Sequence, residues 1–86
     1  MLTTTARLRG ARAGSARTIE LSFSDGSSRR VDVAPLLWGP VFAEIAGDDA
    51  TFAGLFFDAE LGTVCWSNGA DIAPETLLGL PDVGRD

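Results

Sequence analysis

The stretch from Ile19 to Val33 constrains the fold most. Ile19, Leu21 and Phe23 alternate with Glu20 and Ser22, and a period of two places one set of side chains on each face of a strand. Ser24-Asp25-Gly26-Ser27 follows, and then Arg30, Val31, Asp32 and Val33 alternate again. An Asp-Gly step between two alternating runs marks a hairpin, because a tight turn needs positive φ and glycine adopts it without steric cost. Antiparallel pairing is therefore built in early in the chain.

The remaining punctuation extends this pattern. Ala6-Arg7-Leu8-Arg9 reads as a short strand and Ala13 to Ala16 as a small-residue turn. Pro35 ends the return strand because it cannot donate to a ladder. Trp38-Gly39-Pro40 is a turn, and residues 41–46 read as a short helix with Val41, Phe42 and Ile45 on one face and Gly47 at its end. Residues 48–53 form another helical turn, capped by Asp48 or Asp49. Leu55 to Asp58 and Thr63 to Trp66 flank Ala59 to Gly62 as a second hairpin, and Asn68-Gly69 turns the chain after it. Pro74 suits a first helical position, so residues 74–80 are expected to form a closing helix buried through Leu77, Leu78 and Leu80. The order β-β-β-α-β-β-α gives an α+β class: a small antiparallel sheet built from two hairpin units and packed with short helices. Residues 1–86 read as a single domain, with 1–5 and 81–86 expected to fray.

Composition narrows the chemistry. The chain has no histidine, lysine or tyrosine, and its one cysteine is Cys65. Nucleophile–histidine pairs and Schiff-base chemistry cannot be assembled from it, and a zinc site lacks ligands. No catalytic, cofactor-binding or metal-binding residue is assigned, and the chain is read as a non-enzyme. Asp48, Asp49, Asp58 and Glu60 offer the oxygen ligands of a hard-cation site, but their spacing matches no calcium loop, and capping and solvation account for them better. Cys65, in an apolar strand without nearby cations, reads as a small hydrophobe. A lone cysteine suits a reducing compartment, and no apolar run reaches membrane or signal length, so a cytoplasmic location is expected.

Ser24-Asp25-Gly26, Val31 to Leu37, Gly39-Pro40-Val41-Phe42, Phe52 and Gly62 to Pro74 together resemble the small bacterial domain-of-unknown-function family 2442, over about residues 19–80. The run Trp66-Ser67-Asn68-Gly69-Ala70-Asp71 is the most specific part, with Ser67 where many members carry proline. The resemblance implies a compact α+β domain and assigns no activity. Members occur alone or joined to a helix-turn-helix, and some are encoded beside another small protein. This implies an acidic partner in a toxin–antitoxin-like pair. Residues after 80 are expected to be too few for a helix-turn-helix, so a DNA-reading role does not carry over.

Two surfaces follow as candidates. Residues 1–30 carry six arginines against Glu20 and Asp25, a balance of +4; residues 31–86 carry ten acids against Arg85, a balance of −9. Polarised charge suits steering of a charged partner or attraction between the two halves of the fold. Arg7, Arg9, Arg29 and Arg30 are the candidate partner or nucleic-acid surface, although a net charge of −5 disfavours generic phosphate binding. The motif residues Trp66, Asn68, Gly69 and Asp71 read as structural: a core anchor, a turn, and a carboxylate accepting N–H groups of the 68–74 loop. The leading expectation is a protein-interaction module for another small protein, and the alternative is a nucleic-acid-binding accessory protein. Open sheet edges also leave room for a homodimer.

Overall fold

The computed structural model describes residues 7–83. The expectations for residues 1–5 and 84–86, and for a strand start at Ala6, lie outside the described residues. Strands β1 (Leu8–Ala13), β2 (Thr18–Phe23) and β3 (Ser28–Asp32) form an antiparallel meander in that order. Gly26, at φ +86°, turns β2 into β3, and Asp25 Oδ1 accepts the Ser27 N–H at 2.9 Å. Ile19 lies opposite Val31, and Ile19, Leu21 and Val31 are fully buried.

The first strand is longer than its alternation shows. Ala11 and Ala13 pair opposite Leu21 and Ile19, and such small side chains carry little apolar periodicity of their own. Leu8 pairs with Phe23 but Gly10 with Ser22, so Arg9 is an extra residue in a bulge, a device that re-aims a side chain.

After β3, Asp32 Oδ1 accepts the Ala34 N–H at 3.0 Å and starts a 3-10 turn over Ala34–Leu36. The expected helix at 41–46 begins instead as a 3-10 turn, Pro40–Phe42, and becomes α1 over Ala43–Gly47. The tighter turn rotates Val41 outward, while Phe42 is half-buried and Ile45 fully buried. Helix α2 (Asp49–Ala53) is capped by Asp48, whose carboxylate accepts Thr51 N–H at 2.8 Å and Thr51 O–H at 2.6 Å.

Strands β4 (Phe56–Asp58) and β5 (Thr63–Cys65) form a two-stranded antiparallel ribbon with no ladder to the meander. Asp58 Oδ1 accepts the N–H groups of Glu60 and Leu61 and shapes the loop between them. Helix α3 is shorter than expected, Pro74–Leu78, with Gly79 donating to the Glu75 carbonyl at its end. Leu77 is buried and Leu80 half-buried, but Leu78 is exposed, because consecutive helical positions point about 100° apart. Residues 81–83 lie along β3. Val83 N–H donates to the Arg30 carbonyl at 2.7 Å and Asp82 Oδ1 accepts the Arg30 N–H at 3.4 Å, covering part of the β3 edge. The core lies between the meander, the helices and the ribbon, with Ile19, Leu21, Phe52, Trp66 and Leu77 among its members.

Candidate interaction site

Trp66 follows β5 and is buried, with only 3% exposure. Its Nε1–H donates to the Phe52 carbonyl at 3.0 Å, and the Phe42 ring meets it edge-on, 6.1 Å between centroids at 88°. Such a ring is a core anchor and offers no stacking face. Gly69, at φ +93°, turns the chain, with Trp66 N–H donating to the Ala70 carbonyl at 2.9 Å. Asn68 closes the turn: its Oδ1 accepts the Ala70 N–H at 3.0 Å, and its Nδ2 donates to the Val41 carbonyl at 3.1 Å.

Asp71 departs from expectation. Its backbone bridges to Cys65, but its exposed carboxylate accepts no hydrogen bond among the described residues. Asn68 already serves the Ala70 N–H, and Pro74, three residues after Asp71, has no N–H to offer. Asp71 instead lines a hollow of about 290 Å³ with Leu36, Trp38, Phe42, Ile72, Ala73 and Thr76. Trp38 is the most exposed large apolar residue described, at 76%. Gly39, at φ +91°, follows it, and Trp38 N–H donates to the Leu36 carbonyl at 3.1 Å, so the backbone presenting the indole is held. Sequence reasoning placed Trp38 only in a turn; the available signal was a tryptophan just before Gly-Pro, outside both hairpins.

The four flagged arginines are not brought together. Arg29 and Arg30 are consecutive in β3 and project to opposite faces. Arg29 donates to the Leu78 carbonyl at 2.9 Å and lies 5.7 Å from the Phe23 ring centre. Arg30 joins a row that the sequence reading did not single out: Glu20 accepts from Arg30 at 2.7 Å and from Arg12 at 3.0 Å. These bonds, Arg30's foremost and then Arg12's, hold the Glu20 carboxyl below its ordinary value. Arg7 and Arg9 line a separate groove beside the β4–β5 loop. Arg17, unflagged, donates twice to the Ala46 carbonyl at 3.2 and 2.9 Å and once to Asp49 at 2.8 Å.

Asp48 is committed to its cap, Asp49 to Arg17 and Asp58 to its loop. Burial pushes the Cys65 thiol up, and the charges of Asp58 and Asp71 push the same way. No helix among the described residues is long and apolar enough to cross a membrane.

Meander, ribbon and short helices define a small antiparallel α+β domain. Residues 8–80 match the family described as Protein of unknown function (DUF2442), and the chain belongs to it. No curated protein and no solved structure matches the chain.

Proposed function

We propose that this chain is a non-enzymatic, cytoplasmic protein-interaction module whose partner is another small protein, docking a lysine- or arginine-bearing segment onto the Trp38 hollow. The observation that carries this reading is a 76% exposed indole beside an exposed Asp71 carboxylate without a partner among the described residues. Exposed tryptophans are strong interface anchors, and a carboxylate next to one suits a cation with an apolar stem. No described arginine lines the hollow, and residues 31–86 are strongly acidic in sequence, so the charge complement is basic. An acidic member of a toxin–antitoxin-like pair fits this chemistry.

The test is calorimetric titration with the product of the adjacent gene. A Trp38→Ala change is expected to weaken the complex about 30-fold or more, on the order of 2 kcal/mol, without altering the fold. Asp71→Asn is expected to weaken it less and to flatten its salt dependence. Absence of a complex at micromolar concentrations rules the reading out. The nucleic-acid alternative rests on Arg7 and Arg9, since Arg29 and Arg30 already have partners. It predicts oligonucleotide binding that falls steeply with salt.

A further inference from the structure

A groove of about 760 Å³ lies between the start of β1 and the β4–β5 loop. Arg7 and Arg9 line it and are the only described arginines with no carboxylate, carbonyl or ring as partner among the described residues. Their backbone is held in place. Arg7 N–H donates to Ser24 Oγ at 2.9 Å, and Ser24 N–H returns a bond to the Arg7 carbonyl at 2.8 Å. Arg9 is the extra residue of the β1 bulge. The Ser24 hydroxyl accepts the Arg7 bond and keeps its own hydrogen to donate, and Ser24 lines the same groove. Phe57, Leu61 and Leu78 supply apolar wall, and Leu61 and Leu78 are 55% and 39% exposed.

From this we infer that the groove binds an oxyanion, phosphate or carboxylate, carried on an apolar body. Two guanidinium forks and a hydroxyl donor match oxyanion geometry. The volume far exceeds that of a bare phosphate and falls in the range of small-molecule sites, so the apolar wall is left for the rest of the ligand. Glu60 lines the groove from the hairpin loop. Its charge directs the anion toward the β1 side and holds affinity below what the two arginines would give alone. This site shares no lining residue with the Trp38 hollow, so either reading survives failure of the other.

The experiment is an amide NMR titration of the full chain with phenyl phosphate, benzoate and inorganic phosphate in a buffer free of other oxyanions. Phenyl phosphate is expected to shift amides around Arg9, Ser24 and Leu61 and to bind about tenfold or more tightly than inorganic phosphate, because its ring is buried. Benzoate is expected to shift the same amides. The double change Arg7→Gln, Arg9→Gln should lower phenyl phosphate affinity at least about tenfold at an unchanged melting midpoint, and Glu60→Gln should raise it. Equal affinity for organic and inorganic phosphate overturns the inference, as does full affinity in the double variant. A single-stranded oligonucleotide that outcompetes phenyl phosphate with a steep salt slope would overturn it in favour of nucleic-acid binding.

Discussion

Arg17 ties the turn before β2 to helices α1 and α2, and removing it should cost more than removing any other arginine. Its side chain is only 17% exposed. Its guanidinium donates twice to the Ala46 carbonyl near the end of α1 and stacks 5.2 Å from the Phe52 ring centre. Replacing Arg17 with methionine keeps the apolar stem and removes the donors. Hydrogen bonds from a charged donor are worth about 1.5–3 kcal/mol, and the partly shielded cation–π contact about 0.5–1 kcal/mol. The Asp49 carboxylate is 94% exposed, so that pair adds only a few tenths of a kcal/mol at most. The expected loss is about 2–4 kcal/mol, a large share of the roughly 5–15 kcal/mol typical of a folded domain. For a domain of this size that corresponds to a drop of about 10–30 °C in Tm. Urea and thermal unfolding followed by circular dichroism measure it, with Arg12→Met as the control. The Arg12 side chain is 79% exposed and, among the described residues, bonds only to Glu20, so its loss should be near the error of measurement. Equal effects at Arg12 and Arg17 would refute the claim that burial and the carbonyl bonds set the cost.

Three further outcomes follow from the same structure. Because Arg30 and Arg12 hold the Glu20 carboxyl below its ordinary value of 4.5, the stabilisation it contributes is present above that value and is lost as pH falls through the lower folded value. Glu20→Gln should therefore shallow the acid limb of a pH–stability curve, and an unchanged limb counts against the triad. Gly69→Ala meets no atom within 4 Å but must hold φ +93°, so it should cost about 1–2 kcal/mol by backbone strain alone in urea unfolding. Cys65, buried and with its thiol pushed up, should react slowly with an aromatic disulfide reagent when folded and rapidly in urea; fast labelling of the folded chain would contradict that burial.

Local patterns carried much of the fold. The Asp25-Gly26 hairpin, a helix cap at Asp48 or Asp49 (the fold uses Asp48) and the Asn68-Gly69 turn were legible because each depends on a backbone requirement that few residues meet. Features that need tertiary partners were not. The extension of β1 rests on alanines too small to mark a face, and the 81–83 segment is held by hydrogen bonds to the β3 edge that its own residues do not announce. The Arg12–Glu20–Arg30 row joins three strands, and Arg17 reaches Ala46 and Asp49 across about thirty residues of chain. At the candidate surfaces, Asp71 was legible as a special residue but its direction was not, because only the fold decides that Asn68 takes the turn and frees the carboxylate.

The opposed surroundings of the two tryptophans give the molecule a built-in pair of optical probes. Trp66 is 3% exposed and Trp38 is 76% exposed, and the chain has no tyrosine to overlap their emission. The shielded indole reports whether the domain is intact, and the wetted one, open to acrylamide, reports whether something has covered it. A ligand that slows quenching while the shielded indole keeps its emission has covered the outer ring, and its binding also raises the melting midpoint by mass action.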